Sequence, residues 1–444
     1  MSTLPRNYFR DKSIRDPLYG FIDLSEKETK LIDTIAFRRL QFIKQLSHAY
    51  VVYPSAIHTR FEHSLGAMFI ADKICSELDI QGEPKEIVRT AALLHDLGHG
   101  PFSHLFEPIL KKYNPHLDEI HEEISKIIIK EDEEINSHIS KISDQVVALL
   151  EKNHPVNWES SGNALFSDIV SGGLDADKLD YLRRDSYHIG VAYGQFDLDR
   201  ILHTIRRTPH KQTRICIDIK GKDALENYRL GRYLMHAQVY EHHARLVADQ
   251  MFILALDIAI NEENIIDKNL LKINPKSTNK DFMDFYLPLN DYSINELIIQ
   301  NEKSKISKEI LQNIKKRKLL KRACDFGPKS LESYADASQA LMKKKPEDLK
   351  KIADEVAKKV GIQTHEIIFH KSKIDIKLYK EGEILFVDGD KVLDLTLSSP
   401  FSAKDSVIRF YVFGPEDKEI RKKIANEMAS NLGVPEKTIS YFEL

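Results

Sequence analysis

The chain is short of cysteine, of long apolar runs and of net charge, and each shortage closes off a class of protein. Three cysteines in 444 residues, Cys75, Cys216 and Cys324, lie far apart with no CxxC pair. That excludes a disulfide framework and a zinc finger, and it fits free thiols in a reducing, cytoplasmic setting. No long apolar run follows Arg6 and Arg10, so no signal peptide is expected. The most apolar helical stretch, Met251 to Ile260, falls short of the roughly 20 residues that span a bilayer, so a membrane is not an expected partner. A formal net charge of −3 argues against nucleic acid as the main partner, while leaving room for local basic pockets. No internal repeat is evident. Hydrophobic residues at 42% and charged residues at 30% describe a folded, soluble chain long enough for more than one domain.

Histidine is what the chain concentrates. Leu94-His95-Asp96-Leu97-Gly98-His99-Gly100-Pro101-Phe102-Ser103-His104 sets three histidines and an aspartate at the end of an apolar helix. Imidazole and carboxylate are borderline-to-hard ligands suited to Zn, Fe, Mn or Mg. Gly98, Gly100 and Pro101 stop the helix, which puts His99 and His104 on a turn beside the metal. A single histidine here would read as a packed core residue. A cluster of this density needs polar partners, and a metal is the simplest.

Asp16 to Gly20 reads as a turn and Phe21 to Leu24 as a short strand. Ser25 starts a helical region whose apolar face carries Leu31, Ile35 and Leu40 and whose basic face carries Arg38, Arg39 and Lys44. His58-Thr59-Arg60-Phe61-Glu62-His63 precedes an amphipathic helix marked by Leu65, Met68, Ile74 and Leu78, which sets Arg60 and His63 one turn apart near its start. Pro84 opens the helix that ends at His95-Asp96. Helices are expected from Leu105 to Tyr113 and from Asp118 to Lys130. The latter carries His121-Glu122-Glu123, a candidate proton donor or simply a polar helix start. A loop holds Pro155, Trp158 and Ser161-Gly162. In the helix from Leu174 to Asp185, Asp177, Tyr181 and Asp185 share a face, as a nucleotide-pocket wall or, from spacing alone, a charged surface helix. A strand runs from Arg214 to Lys220. Arg232, His236 and Tyr240 then repeat a one-face pattern on a long helix from Leu225 to about Ile260. A lysine-rich helix is expected from Lys303 to Arg322, its Lys315 to Lys318 run read as a solvated face. A helix from Pro346 to Val360, strand-like runs at Glu366 to Phe369, Ile374 to Leu378, Ile384 to Val387 and Val407 to Phe413, and a helix from Lys418 to Leu432 read as a small α+β domain.

With those residues in view, the chain resembles the HD-domain phosphohydrolases. More narrowly it is similar to the deoxynucleoside triphosphate triphosphohydrolases, including the HD region of the mammalian enzyme that joins a SAM domain to an HD domain. The resemblance runs from about Ser13 to Phe252. Its motifs are Asp16-Pro17 with Gly20, Phe37-Arg38-Arg39-Leu40, Lys44-Gln45-Leu46, His58 to Gly66, the histidine stretch and Asp177-Lys178-Leu179-Asp180-Tyr181. Arg317-Lys318-Leu319-Leu320-Lys321 extends it, and no SAM domain precedes the HD region.

The expected fold is mainly α: the resemblance implies an HD-domain helical core with small β elements over residues 1–260, and the sequence pattern adds a helical extension over 261–345 and a small α+β domain over 346–444. It implies that His63, His95, Asp96 and Asp177 hold a divalent metal (Fe, Mn, Zn, Ni or Mg), with Mg accompanying the nucleotide. His121 would be the catalytic histidine with Glu122 as its partner, and His99 and His104 would stand around the reacting phosphate. Arg60, Lys178 and Arg232 would hold the triphosphate. Gln45 and Asp185 would contact the 3′-hydroxyl, Tyr181, His236 and Tyr240 would pack around sugar and base, and Leu46 and Glu241 would complete the pocket. Tyr240 would crowd the 2′ position. The expected reaction turns a dNTP into deoxynucleoside and inorganic triphosphate. The alternatives are an HD phosphohydrolase acting on other nucleotides or nucleic-acid ends, and a non-catalytic nucleotide sensor. A homo-oligomer, dimer or tetramer, and a nucleotide activator are also implied, with Lys12, Arg15, Asp33, Gln41 and Arg200 at the regulatory positions. Three positions depart from the pattern: Glu241 replaces a glutamine, Arg15 an asparagine and Gln41 an arginine.

Overall fold

The computed structural model describes residues 11–150, 163–209, 214–274, 277–327, 334–374, 384–389, 391–393, 407–435 and 440–441. The loop with Pro155, Trp158 and Ser161-Gly162 lies outside them, as do positions 375–378 of the expected strand from Ile374. Mainly helical elements with small sheets form two compact units. One comprises Met1–Met235, Ile266–Leu297 and Leu378–Ser402. The other comprises His236–Ile265, Ile298–Lys377 and Ala403–Leu444.

The first unit is built around helix Arg60–Glu77. Phe61, Leu65, Ala67, Met68, Ile70, Ala71, Ile74 and Cys75 are all buried, so this helix is enclosed rather than one-faced as the Leu65-Met68-Ile74-Leu78 spacing suggests. Small residues make the enclosure possible. A Cβ on Gly66 would lie 2.0 Å from Asp180 Oδ1 and 2.4 Å from Arg184 Nη2, so only glycine admits helix Ala176–Ile189 this closely. That second helix starts where Asp175 accepts the Lys178 N–H at 2.8 Å and ends at left-handed Gly190. Helix Glu83–Leu94, opened by Pro84 as its sequence suggests, also packs against the central helix.

Strands Lys12–Asp16 and Gly20–Leu24 pair antiparallel, from Lys12 against Leu24 to Asp16 against Gly20. Asp16 closes the turn by accepting the N–H groups of Leu18 and Tyr19 at 2.8 and 3.1 Å. A small sheet orders Ile205–Arg207, Ile215–Asp218, Leu385–Asp388 and Lys391–Leu393, with the middle pair parallel.

In the second unit, Ser440–Tyr441, Lys321–Phe326, Val407–Gly414 and Ile368–Ile374 form an antiparallel sheet in that order. Phe326, Phe410 and Val412 from its strands bury against Val356 and Met428 of helices Pro346–Val360 and Lys418–Leu432. Two expected helices are cut short. The lysine-rich helix spans only Ile306–Lys315. Arg317 turns left-handed (φ 56°), and Lys321–Phe326 enters the sheet because Ala323, Cys324 and Phe326 have a core to fill. The long helix from Leu225 is two helices, Lys222–Met235 and His243–Asn261. Between them His236–Tyr240 forms a π turn, and His242 takes an extended backbone whose side chain caps the second helix. All three cysteines are buried and unpaired. Among the described residues no helix is long and apolar enough to cross a membrane.

His370 tests how the second unit responds to pH. Burial pushes its pKa down to about 4, with Asp249 opposing and Arg245 reinforcing the shift. The folded state therefore favours neutral imidazole, while the unfolded chain takes up a proton below about pH 6.5. Stability is full above that pH and is lost as the pH falls toward 4. Urea unfolding should show about 2 kcal/mol less stability at pH 5 than at pH 7 from this group, and His370→Gln should flatten that slope.

Candidate metal centre

The histidine stretch is a turn tied down from several sides. Helix Glu83–Leu94 gives way to tight turns in which Leu97 N–H donates to Leu94 O and His99 N–H to Asp96 O, both at 3.1 Å. Phe102 and Ser103 follow with φ of 54° and 57°. Arg39 donates to Leu97 O at 2.9 Å and His99 O at 2.7 Å, and Tyr286 Oη donates to Gly98 O at 2.8 Å. Asp291 accepts the Phe102 N–H at 2.6 Å. Ser125 Oγ accepts from Gly98 N–H and donates to His95 O, both at 2.8 Å. Arg39 is thus buried against backbone carbonyls instead of lying on the basic face expected for it. Gly98 is needed for close approach: a Cβ there would sit 2.1 Å from the His121 carbonyl oxygen.

His63, His95, Asp96 and Asp177 converge from three segments. His63 Nε2 lies 3.0 Å from Asp177 Oδ1 and 3.4 Å from Asp96 Oδ2. His95 Nε2 lies 3.3 Å from Asp96 Oδ1 and 3.7 Å from Asp177 Oδ1. The outer nitrogens are already committed. His63 Nδ1 faces Asp180 Oδ2 at 2.9 Å and His95 Nδ1 faces Ala92 O at 2.8 Å. Both of those partners only accept, so each neutral ring carries its proton on Nδ1 and turns an Nε2 lone pair inward. The two inward nitrogens are buried and complete no hydrogen bond. Two lone pairs facing two carboxylates require a cation, and this donor set fits a divalent metal. Burial alone would lower the His63 pKa, yet the carboxylates of Asp177, Asp180 and Asp96 raise it to about 10. Burial opposes ionisation of Asp96 too, but Arg60, His95 and His99 hold its pKa well below the carboxylate range.

A second group of donors lies beside the first. Glu107 Oε1 is 2.7 Å from His104 Nδ1, 3.0 Å from His121 Nδ1 and 3.5 Å from His99 Nδ1. The His99 and His121 rings stack with centroids 4.2 Å apart. His99 Nε2 reaches back to Asp96 Oδ1 at 3.2 Å. Sequence reasoning missed Glu107 and paired His121 with Glu122. Glu122 is the next helical residue and projects about 100° away, whereas Glu107 reaches His121 from helix Glu107–Tyr113. The available signal was Glu107 standing three residues after His104 at a helix start. Burial lowers the His121 pKa, but Glu107 and Asp96 outweigh it and the net shift is upward.

The other candidate residues are placed as follows. Arg60 is buried, donating to Asp96 Oδ2 at 2.7 Å and Ser103 Oγ at 2.9 Å. Lys178 pairs with Asp175 and donates to Gly172 O at 3.0 Å. Burial raises the Tyr181 pKa to about 12 against the opposing charges of Arg232 and Lys178, which places those three groups in one electrostatic neighbourhood. Gln45 and Leu46 are buried, and Gln45 Oε1 has no hydrogen-bond partner. Asp185 Oδ1 meets His58 Nε2 at 2.8 Å. In the second unit His236 packs edge-on to Tyr240, and Glu241 bonds Ser372. Of the five positions expected at a regulatory site, Lys12 and Asp33 form an ion pair at 3.7 Å, Arg15 lies over the Phe21 ring at 4.8 Å, Gln41 is half-buried and Arg200 donates to Lys220 O at 2.8 Å.

A helical core that gathers two histidines and two aspartates around one point defines a metal-binding domain of the HD type. Residues 60–191 match the HD domain, and residues 196–442 match the HD associated region. The chain belongs to this family, HD domain followed by HD-associated region. It is 41% identical over 264 residues to the uncharacterized protein MJ1154 of Methanocaldococcus jannaschii, covering 59% of this chain and 53% of that one. It is 33% identical over 346 residues to the human deoxynucleoside triphosphate triphosphohydrolase SAMHD1, covering 70% of this chain and 54% of that enzyme. The chain therefore spans about half the length of both relatives. A crystal structure of a hypothetical protein from Aquifex aeolicus matches 94% of this chain and 99% of its own at 28% identity, with a TM-score of 0.72.

Two outcomes follow from this geometry. The combined His95→Ala and Asp96→Ala change should lose the metal bound at this centre, read by elemental analysis of the purified protein; full metal content would refute the assignment. Gly66→Ala should destabilise the fold by about 3 kcal/mol, because the new methyl overlaps the buried Asp180–Arg184 pair, and urea unfolding measures it.

Proposed function

We propose that the chain is a metal-dependent phosphohydrolase that cleaves dNTPs to deoxynucleoside and inorganic triphosphate. The observation that carries this reading is the adjacency of two groups of side chains: a ligand set of His63, His95, Asp96 and Asp177, and a histidine with raised pKa, His121, backed by Glu107. Together they match the two tasks of a metal-assisted phosphoester hydrolysis, one group to activate the phosphoryl group and one to protonate the leaving oxygen.

A divalent ion held by His63, His95, Asp96 and Asp177 would supply polarisation of a phosphoryl oxygen and activation of water. The residues do the rest. Asp180 and the Ala92 carbonyl hold the two imidazoles in the ligand tautomer. Arg60 keeps Asp96 ionised. His121 retains a proton through Glu107 and delivers it to the leaving 5′-oxygen. His99, kept neutral by burial and by the charges of Arg60 and His121, donates toward Asp96. Lys178 and Arg232 offset phosphate charge, with Tyr181 against the sugar. Gln45 Oε1, buried without a donor, suits a substrate hydroxyl. The dNTP specificity rests on the sequence resemblance and on similarity to SAMHD1, whose name states that activity. A regulatory nucleotide site at Lys12, Arg15, Asp33, Gln41 and Arg200 and assembly into a homo-oligomer belong to the same proposal.

Product analysis tests it. Each dNTP and NTP, singly and mixed, is incubated with Mg²⁺ or Mn²⁺ and the products are separated by ion-pair chromatography. Deoxynucleoside with inorganic triphosphate is the expected result. Orthophosphate or a mononucleotide would replace it with a different phosphoester specificity, and bound but intact nucleotide would make the chain a sensor. His121→Ala should lower kcat by about 10²–10⁴-fold, with the metal content of the HD centre retained. Lys178→Ala should raise KM for the triphosphate more than it lowers kcat.

A further inference from the structure

One residue outside the metal centre ties two candidate pocket residues together. Residues 43–45 and 58–60 run alongside each other. Arg60 N–H donates to Ile43 O and Gln45 N–H to His58 O, both at 3.0 Å, and Lys44 pairs with Thr59 between them. His58 therefore holds Gln45 by the main chain. By its side chain it holds Asp185, with Nε2 2.8 Å from Oδ1. The His58 ring is buried, and its Nδ1 completes no hydrogen bond. A carboxylate only accepts, so the ring's proton sits on Nε2 and is donated to Asp185. The ring face is fixed too: His188 stacks on it with centroids 4.5 Å apart and planes 10° from parallel. Asp185 and His188 stand three residues apart on helix Ala176–Ile189, so that helix grips His58 by edge and by face. A staple between a helix and an extended segment would account for the Asp185 bond, but not for Gln45. Gln45 is buried and its Oε1 has no donor, a costly state unless a ligand supplies one.

We propose that His58 is the positioning residue for sugar recognition: by orienting Asp185 and Gln45 together, it makes turnover depend on the substrate's 3′-hydroxyl. This rests on the dNTP reading above. A dNTP offers one sugar hydroxyl, because its 5′-oxygen carries the phosphates and its 2′ position carries none. His58 itself touches no substrate atom. Its Nε2–H keeps the Asp185 carboxylate in one orientation, and its carbonyl fixes the backbone that carries the Gln45 side chain. The hydroxyl then meets partners already in place instead of side chains that must be ordered on binding. Loss of the Nε2–H would let Asp185 turn while leaving the Gln45 backbone where it is, since the carbonyl belongs to the main chain. The effect of a side-chain change at His58 is therefore felt through Asp185.

Kinetics with each dNTP and its 2′,3′-dideoxy counterpart test the inference. Wild type should favour the dNTP in kcat/KM by at least about 10²-fold. His58→Phe keeps a ring against His188 but has no donor. It should cut that preference by about tenfold or more, slowing the dNTP and leaving the dideoxy substrate unchanged. His58→Gln, whose amide nitrogen reaches as far as Nε2, should restore most of it. Asp185→Asn should lose the same preference, and combining it with His58→Phe should lose no more, because the two act through one contact. His58→Asn, too short to reach Asp185, repeats the loss should the phenyl ring disturb the fold, which circular dichroism and the metal content of the HD centre check. An equal fall for both substrates would make His58 purely structural and overturn the inference. So would an unchanged preference in His58→Phe, or full additivity with Asp185→Asn. No preference in wild type would overturn it and leave the triphosphohydrolase reading standing; no turnover of either substrate would overturn both.

Discussion

Arg184 is buried completely, and its guanidinium is divided between two carboxylates. Nε and Nη2 bond Asp180 at 2.8 and 3.0 Å, and Nη1 bonds Asp16 at 2.9 Å. Asp180 also accepts Tyr19 Oη at 2.8 Å and faces His63 Nδ1 at 2.9 Å. One buried charge thus joins the N-terminal hairpin turn, the acidic helix and the central helix. Removing either partner would leave an uncompensated ion in the core, a cost of about 3–5 kcal/mol. The same pair decides which way His63 turns. Gly66 is part of the arrangement, since the pair occupies the space where any other residue would place its Cβ.

Charge balance leads from that network to the metal. Buried Asp16, Asp96 and Asp180 and half-buried Asp177 meet Arg184 and Arg60 in one region, four carboxylates against two guanidiniums. Two negative charges are left over, which is what a divalent cation balances. Without one, His63 takes up part of the difference as a proton, which is why its pKa rises to about 10 although burial pulls it down. Metal and proton compete for the same Nε2 lone pair, so affinity at this centre rises with pH.

The sequence was most legible where ligands are close in the chain. His95 with Asp96 at a helix end, and Arg60 with His63 one turn apart, mark a candidate site through local spacing, and Pro84 marks a helix limit by local backbone preference. It was least legible where tertiary burial reverses a local reading. Asp180 and Arg184 look like a surface ion pair at i and i+4 and are at the centre of the core. Arg39 looks like part of a basic face and serves two carbonyls of the histidine turn. Lys321 and Arg322 look like the end of a lysine-rich helix, yet they open a strand whose Ala323, Cys324 and Phe326 fill the core under a sheet. Glu107 was missed because its link to His121 joins two helices and leaves no periodic trace.

The histidine turn shows why those tertiary partners matter to chemistry as well as to stability. Phe102 and Ser103 hold left-handed backbone angles that non-glycine residues adopt at a cost of about 1–3 kcal/mol. Arg39, Tyr286, Ser125 and Asp291 offset that cost by bonding the turn's own backbone groups, from four places in the chain. The turn therefore reaches the donor groups already rigid. Asp96 lies at its start, with one oxygen toward His95 and His99 and the other toward His63 and Arg60. A carboxylate shared in this way cannot rotate to suit one group without disturbing the other. The HD ligand set and the His99–His121 stack are for that reason held by one carboxylate.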